Sequence, residues 1–287
     1  MTWKSALLGL ALLLGACQAR AEPPVWIVRD ADSELVLFGS IHVLPKALAW
    51  KPRRLTRAMA KADDIWFELP LDAAAQGEVA ALAAQRSFLP QGQTLSKLLT
   101  PADAARLKTV AADYGVDLSY LDQLQPWMAE VVLGAAAFRR FDASADDGVE
   151  RALMAEAPAR AKLQAFETPA EQIALFADGP RAEQLASLVQ TLDELADGPD
   201  EYARILKAWL AGDIAALEKE AVAPLREASP GLYARLVAAR NRRWTAILDD
   251  RLRGRGRTVV VVGMGHLVGP DGLPGALRAL GYRVEGP

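Results

Sequence analysis

The sequence is poor in the residues that form covalent cross-links and many metal sites. It has one cysteine, Cys17, and two histidines, His42 and His266, among 287 residues. A single cysteine excludes a disulfide within the chain, a cysteine-rich zinc site and a Cys–His nucleophile pair. A bound metal ion would therefore take its ligands from His, Asp, Glu and water. The motifs H-E-x-x-H and G-x-S-x-G are also absent, which argues against two common types of hydrolase.

The sequence also lacks an excess of charge of one sign. Charged residues make up 24% of the chain and the net charge is −3, so no basic excess favours binding to nucleic acid. The basic runs at 53–57, 239–244 and 251–257 are typical of solvated helix faces. With 52% hydrophobic residues, the chain can bury a sizeable core, as one large domain or two small ones.

The longest apolar stretch is too short to span a bilayer. It reads SALLGLALLLGA at 5–16, follows a positively charged MTWK, and is typical of a secretory signal. Its end, LGAC at 14–17, resembles the lipobox of bacterial lipoproteins, in which the cysteine is acylated. A second cleavage site, ARA at 19–21, would leave Glu22 as the first mature residue. We therefore expect residues 1–21 to be a signal peptide of a Gram-negative bacterium, and the protein to be periplasmic or a lipoprotein anchored to the membrane through Cys17.

The mature region, residues 22–287, has strand patterns at both ends and in the middle, with helical patterns between them. The sequence therefore predicts a single α/β domain, with a central mixed β-sheet built from N- and C-terminal segments and a large α-helical insertion at roughly 71–160 and 180–253. The predicted strands are two in 25–42 joined by a turn at 30–32, and one each in 63–70, 162–168, 257–266 and 282–286.

Four of these strands each place an ionisable residue just after the strand. His42 follows LVLF, Glu68 follows DIWF, Glu167 follows KLQAF and His266 follows TVVVV. Ligands of open α/β sheets bind outside the carboxyl ends of the strands, so these four side chains are expected to converge there. Two imidazoles and two carboxylates at one rim would suit either a divalent metal ion or a general acid–base set.

Each of these residues also has a simpler structural interpretation. A single histidine at a strand end is more often a hydrogen-bonded structural residue than a ligand. Glu167 precedes Thr168, which with Glu171 forms the pattern of a helix capping box. Both histidines, however, lie three residues after a glycine, in GSIH and GMGH. Gly39 and Gly263 would permit a close approach of backbone at the place where a ligand would bind.

The second motif also resembles part of a dinucleotide-binding unit. A strand, the stretch GMGHLVG, a short helix and a last strand ending in Glu285 follow one another at about the expected spacing. Two observations argue against this interpretation. Pro270-Asp271-Gly272 interrupts the place where the helix should begin, and an exported protein has little access to NAD.

The mature region resembles the TraB/GumN family. This family is related to the Tiki-type metalloproteases and, more distantly, to the erythromycin esterases and the ChaN-like proteins. The resemblance covers nearly all of the mature region and is specific through the ordered set of its motifs. The segments that carry it are WIVRDADSELVLFGSIHVLP, ADDIWFELP, QPWMAEVVL, GVERALMAEAPARAKLQAFETPAEQIALF, ARNRRW and TVVVVGMGHLVGPDGLPGALRALGYRVE.

The resemblance implies a metal-dependent hydrolase with His42, His266 and Glu68 at its centre. Arg240, in ARNRRW, resembles a site arginine that could clamp a carboxylate or stabilise an oxyanion, so it is an exception among the basic runs. Glu150 matches an acidic position of the family. The predicted catalytic set comprises His42, Glu68, His266 and Arg240.

The expected cofactor is Mn²⁺, Co²⁺ or Zn²⁺, which would polarise a carbonyl group and lower the pKa of a bound water. The candidate ligands are His42, Glu68, His266, Glu150 and Glu167. The expected substrate is a peptide or a small acyl compound, and nucleic acid is not expected as a partner. Two alternatives stay open: a metal-free hydrolase with one histidine as general base, and a non-catalytic envelope protein that binds a metal, haem or a small signal molecule at the same rim.

Overall fold

A six-stranded sheet forms the centre of the structure, a computed structural model that describes residues 21–198 and 200–287. The predicted mixed α/β fold is confirmed, since the sheet takes strands from both ends and from the middle of the chain. In order across the sheet, the strands are β6 (Lys162–Ala165), β4 (Asp64–Phe67), β7 (Gly256–Gly263), β2 (Ser33–Ser40), β1 (Val25–Arg29) and β8 (Arg283–Glu285).

The four strands on one side of this sheet are parallel. β4 pairs with β6 and with β7, and β7 pairs with β2, all in the same direction, whereas β1 is antiparallel to both of its neighbours. The four valines at 259–262 are buried, because a central parallel strand is covered on both faces. The carboxyl ends of β6, β4, β7 and β2 therefore lie along one rim.

Local side-chain chemistry sets the predicted hairpin between β1 and β2. The Asp30 carboxylate accepts hydrogen bonds from the backbone N–H groups of Asp32 (3.1 Å) and Ser33 (2.7 Å). This side-chain turn reverses the chain between the two strands, as the sequence predicts. A second, two-stranded sheet of β3 (Leu44–Pro45) and β5 (Ala143–Ser144) is not predicted, because two residues are too few to show a strand period.

Helices occupy the segments between the strands, including the two predicted helical regions. α1 (Arg53–Met59) lies between β3 and β4, and α15 (Leu273–Ala279) lies between β7 and β8. Among the described residues, no helix is both long and apolar enough to cross a membrane. The other helices are α2 (Ala73–Arg86), α3 (Leu95–Leu98), α4 (Pro101–Asp113), α5 (Leu118–Leu121), α6 (Pro126–Phe138), α7 (Val149–Ala155), α8 (Pro169–Ala177), α9 (Arg181–Asp197), α10 (Asp200–Ala211), α11 (Ile214–Leu217), α12 (Ala223–Ala228), α13 (Pro230–Tyr233) and α14 (Ala239–Leu252).

Two π-helical segments interrupt the last part of the helical region. Glu218–Val222 joins α11 to α12, and Ala234–Ala238 joins α13 to α14. The second segment therefore ends two residues before Arg240, inside what is otherwise one continuous helix from Pro230 to Leu252. Such wide turns are rare in proteins and occur mostly at functional sites.

Among the residues that the structure describes, the buried apolar side chains form two clusters. The larger one surrounds the sheet and includes the rings of Phe38, Trp50 and Trp209, which lie 5.7–6.0 Å apart. The smaller one lies within the helical insertion and is built from residues of α3 to α6 and α9. The insertion thus has an apolar core of its own. The predicted signal peptide and Cys17 lie outside the described residues, and export stays a prediction.

Candidate functional site

The four ionisable residues at the strand ends lie together, as the strand order requires. The strands are in register at the rim, where Ser40 pairs with Gly263 and Phe67 pairs with both Val261 and Ala165. The side chains that follow these strands, His42, Glu68, Glu167 and His266, therefore emerge at one edge. Two predicted residues from helices join them: Glu150 from the first turn of α7 and Arg240 from the first turn of α14.

The two Gly-x-x-His motifs pack against each other. A Cβ atom on Gly39, in the first motif, would lie 2.2 Å from Cε of Met264 in the second. A Cβ atom on Gly263, in the second motif, would lie 3.2 Å from both Nε2 of His42 and Oε1 of Glu68. Each glycine thus makes room for a side chain of the other motif. This reciprocal contact explains why both motifs begin with glycine.

The Arg240 guanidinium lies at the centre of the buried half of the site. Its Nε–H and one Nη2–H donate to the two carboxylate oxygens of Glu167, at 2.8 and 2.9 Å. Nη2 also donates to Oε2 of Glu68 at 2.5 Å. Nη1 donates to the backbone oxygen of Leu236 (3.0 Å) and to Nε2 of His266 (2.9 Å).

These contacts use every donor that Arg240 has. A guanidinium carries five N–H groups, and the five acceptors all belong to the protein. The Leu236 oxygen is one of them because it lies in the π-helical segment just before α14. In this arrangement Arg240 has no donor left for a substrate carboxylate or an oxyanion. It organises the site, and the predicted clamp on a substrate does not follow from its geometry.

Glu167 is the most deeply buried acid of the site, with a side-chain exposure of 0%. Besides Arg240 it accepts a hydrogen bond from Nη2 of Arg243 at 2.6 Å, and Arg243 is 46% exposed. The structural interpretation of the neighbouring residues is confirmed, since Thr168 and Glu171 form a capping box at the start of α8. Glu167 therefore serves as a buried anchor between two arginines.

His266 is held as a neutral imidazole. Because Arg240 can only donate, Nε2 of His266 must accept, and the proton must lie on Nδ1. Nδ1–H donates to Oδ1 of Asn241 at 2.6 Å. The Asn241 amide is oriented in turn, since its Nδ2 donates to the backbone oxygens of His266 (3.1 Å) and Asp271 (2.7 Å).

Burial is the main reason that His266 stays neutral. Its side chain is 7% exposed, and the ring lies 4.4 Å from that of Trp244. Burial lowers the pKa of His266 to about 4, with a further contribution from the positive charge of Arg240, although Glu68 opposes the change. At neutral pH this imidazole is a hydrogen-bond acceptor for Arg240 and not a proton donor to a substrate.

His42 has the opposite environment. Its Nδ1–H donates to Oε1 of Glu150 at 2.6 Å, and the Ser40 hydroxyl donates to the same oxygen at 2.5 Å. The negative charge of Glu150, followed by its hydrogen bond and the charge of Glu68, raises the pKa of His42 to about 9. The imidazole is 61% exposed, so solvent screens part of this attraction.

Glu68 lies between the two histidines and stays ionised. Its Oε1 accepts the backbone N–H of Gly263 at 2.6 Å and lies 3.8 Å from Nε2 of His266. Burial would raise its pKa, but the positive charge that His266 gains in acid, together with Arg240 and His42, lowers it to about 2. Because its two oxygens are already engaged by Arg240 and the Gly263 N–H, the exposed His42 is the better candidate for taking a proton from water.

The donor atoms do not fit a divalent metal ion in this arrangement. Of the five predicted ligands, Glu68, Glu167 and His266 are directed at the Arg240 guanidinium, and Glu150 holds His42 and Ser40. In the part of the chain that the structure describes, no three His, Cys, Asp or Glu side chains are grouped to hold a metal ion. A metal at this centre would have to displace Arg240. The metal site therefore stays a prediction.

The dinucleotide interpretation does not fit the strand order. β8 lies beside β1 and is separated from β7 by β2 and β1, whereas a dinucleotide unit needs the two strands to be neighbours. Glu285 is paired with Arg29 (2.7 Å) and Arg283 (2.6 Å). It is part of a surface ion-pair network of the sheet edge.

Three residues of the site were not predicted: Ser40, Asn241 and Arg243. Each lies inside a segment that the sequence had already marked, GSIH or ARNRRW, so the motif could have indicated them. Asn241 is the clearest case, since a buried amide one position from Arg240 contacts the backbone of the second histidine motif. Sequence alone does not show this contact, because α14 and β7 meet only in the fold.

Comparisons with known proteins agree with the sequence motifs. The model of the TraB/PrgY/gumN family matches residues 24–286. The chain is 26% identical over 259 residues to the uncharacterized protein YbaP of Escherichia coli (strain K12), covering 89% of this chain and 92% of that protein. The YbaP protein of Shigella flexneri is similar to the same degree and over the same share of both chains. No solved structure matches the chain.

Proposed function

The chain belongs to the TraB/PrgY/gumN family, and from this premise we propose that it is a hydrolase of peptide or small acyl substrates in the bacterial cell envelope. The observation that carries the proposal is the pair of His42 and Glu150, with Nδ1 and Oε1 2.6 Å apart. This imidazole is 61% exposed, whereas Glu68, Glu167, Arg240 and His266 are buried and hydrogen-bonded to one another. A histidine oriented by a carboxylate is the arrangement used for general base catalysis in many hydrolases.

In the proposed reaction, neutral His42 takes a proton from a water molecule at Nε2. The water oxygen attacks the substrate carbonyl, and the imidazolium then returns the proton to the leaving group. Glu150 keeps the Nδ1 proton in place and stabilises the imidazolium by its charge. Glu68, whose Oε1 lies on the same side of Gly263 as Nε2 of His42, adds a second negative charge.

A metal-dependent version of this reaction is also a proposal that the family resemblance suggests. Mn²⁺, Co²⁺ or Zn²⁺ would polarise the carbonyl group and lower the pKa of the attacking water. Because Arg240 holds Glu68, Glu167 and His266, we assign no step to a metal ion. The acid–base reaction needs only His42, which is exposed, and its partner Glu150.

The proposal is tested by a peptide library and an ester panel, assayed with and without EDTA. His42→Asn should lower kcat/KM by about 10²–10⁴-fold on any substrate found, because the general base is lost. Glu150→Gln should lower it less, because it keeps the shape of the pair and removes only the charge. The exposed residue Arg242 provides the control, and Arg242→Gln should leave kcat/KM unchanged.

A different outcome would favour the second candidate function. If no substrate is cleaved and a ligand binds tightly, with loss of binding in His42→Asn, the protein is a binder of a metal, haem or small signal molecule. The observation that favours this candidate is the exposed imidazole with its Nε2 directed away from Glu150. Turnover that is equal in wild type and His42→Asn would overturn the hydrolase proposal.

We also propose export, with Cys17 as a lipid anchor or a cleavage after Ala21. The support is the charged and apolar pattern of the first residues, which lies outside the described part of the chain. Replacing Cys17 by Ala should move the full-length protein from the membrane fraction to the soluble periplasmic fraction. Release of wild-type protein without lipid, with Glu22 as its first residue, would instead show simple secretion.

A further inference from the structure

Arg240 stands where a metal ion would have to bind. Three of the predicted ligands, His266, Glu68 and Glu167, direct four acceptor atoms at one guanidinium, at 2.5–2.9 Å. We propose that Arg240 is the resident cation of this centre, that it closes the centre to divalent metal ions, and that its removal opens a metal site. This inference concerns cation binding alone and does not rest on the proposed hydrolysis.

The acceptors around Arg240 are of the kind that transition-metal ions take. They comprise one imidazole nitrogen and three carboxylate oxygens, a mixed N/O set compatible with Mn²⁺, Co²⁺ or Zn²⁺. His266 already has its lone pair on Nε2, because Asn241 holds the Nδ1 proton. A second residue that fixes the tautomer in this way is a regular feature of histidine metal ligands.

The charges of the centre are already balanced without a metal ion. Glu68 and Glu167 bring two negative charges, and Arg240 with the half-exposed Arg243 balances them. A divalent ion added beside Arg240 would place like charges within a few ångström of each other in a buried site, where repulsion is strong. Without Arg240, the two carboxylates and the neutral imidazole lack their central cation.

His42 is not part of the opened site. It is not among the acceptors of Arg240: its Nδ1 is held by Glu150, and its Nε2 lies beside Gly263, on the side of Glu68 Oε1. The proposed metal site therefore depends on one of the two histidines. This differs from the ligand set expected from the sequence, in which both histidines bind the same ion.

The test is metal titration of the mature protein without a His tag, by calorimetry and by thermal unfolding. Wild type, Arg240→Lys and Arg243→Gln should bind no Mn²⁺, Co²⁺ or Zn²⁺ at this centre. Arg240→Lys keeps the cation, and Arg243→Gln is the matched control that removes the other arginine of Glu167. Arg240→Ala should bind one ion per chain, with a rise in Tm of about 5–10 °C at a hundredfold excess over Kd.

Double variants identify which residues bind the metal ion. In the Arg240→Ala background, His266→Ala should abolish metal binding, and His42→Ala should leave it intact. Arg240→Ala leaves buried carboxylates without their cation and could fail to fold. The double variant Arg240→Ala/Glu167→Gln, which removes one charge of each sign, is therefore titrated in parallel and should also bind metal, more weakly.

Two results would overturn the inference. One is stoichiometric metal binding by wild type that His266→Ala abolishes, since Arg240 would then not close the centre. The other is a folded Arg240→Ala, or its Glu167→Gln double variant, that binds no metal ion. Neither result depends on turnover, so failure of this inference and failure of the proposed hydrolase activity are seen in separate measurements.

Discussion

The same short motif places two histidines in opposite chemical states. His42 is exposed, and the negative charge of Glu150 favours its protonated form. His266 is buried and neutral between Arg240 and Asn241. Their pKa values move apart, to about 9 and about 4. Pairs of groups whose environments separate their pKa values in this way are typical of active sites. At the residue scale, then, the motif sets position and the partners set role.

The proposed role of His42 as general base predicts a pH dependence. As general base it must be unprotonated, so kcat/KM should rise about tenfold per pH unit below the pKa of His42 and level off near pH 9. Glu150→Gln removes the charge that raises this pKa, and should shift the rise of the pH–rate profile to lower pH. A profile that falls across this range would show that His42 acts as the acid.

A side chain at Gly263 should impair activity much more than stability. A Cβ atom there would lie 3.2 Å from Nε2 of His42 and from Oε1 of Glu68, so both side chains would have to move. We expect Gly263→Ala to lower kcat/KM at least about tenfold through misplacement of the base. Tm, measured in parallel, should change little, because the neighbours need to move only a few tenths of an ångström. The matched control is Gly134→Ala in α6, where nothing lies within 4 Å and helix stability should rise by about 0.5–1 kcal/mol.

The residues of the rim could be predicted, and the family resemblance also indicated Glu150 and Arg240, but which side chain each of these two contacts could not be predicted. His42, Glu68, Glu167 and His266 follow apolar strands, and parallel strands end at a common edge, so their meeting follows from pattern alone. Which histidine is the base depends on Glu150 and Arg240, which come from helices. No periodicity indicates where a helix places its first turn relative to a rim, and the function of each histidine is therefore a result of the fold.

At the element scale, the site depends on how helices begin. Glu150 lies in the first turn of α7, Arg240 lies in the first turn of α14, and Glu171 caps the start of α8 directly after Glu167. The π-helical segment before α14 adds the Leu236 oxygen as a partner for Arg240. The starts of α7 and α8 thus bring polar groups to the rim, whereas Arg240 comes from the interior of the continuous helix Pro230–Leu252.

The capping box of α8 gives a prediction for stability. Thr168→Ala removes the acceptor of the Glu171 backbone N–H, so the free energy of unfolding should fall by about 1 kcal/mol. Glu171→Gln keeps the box pattern and should cost less. Urea denaturation of the three proteins measures both differences. Equal stability of Thr168→Ala and wild type would mean that Arg243 and the buried Glu167 hold this segment without the cap.

At the scale of the whole molecule, the site should give the protein a stability maximum near pH 6.5. The pKa of His266 is about 4 when folded and 6.5 ordinarily, so the unfolded chain binds that proton first and stability falls between pH 6.5 and 4. Stability falls further below pH 4.5, because the pKa of Glu68 is about 2 in the folded protein and 4.5 ordinarily. His42, raised to about 9, loses its stabilising charge as the pH rises from 6.5 to 9.

Thermal unfolding from pH 3 to pH 10 measures this dependence of stability on pH. In His42→Asn, the loss of stability between pH 6.5 and 9 should be smaller than in wild type. The difference should be modest, because solvent screens the exposed imidazole. The loss of stability below pH 6.5 should remain in that variant, since it comes from the protonation of His266 and Glu68. An alkaline side that is unchanged in His42→Asn would show that the stability lost there comes from other groups.

The place of β7 in the sheet has a consequence for the order of events during synthesis. β7 lies between β2 and β4, yet it is made after β2, β4 and β6, and Gly263 is 195 residues from the Glu68 carboxylate it binds. Until β7 is made, the edges of β2 and β4 that pair with it lack their partner. Such edges are prone to wrong pairing. The centre becomes complete only when the second glycine–histidine segment has been translated, because that segment supplies His266 and the Gly263 N–H that binds Glu68.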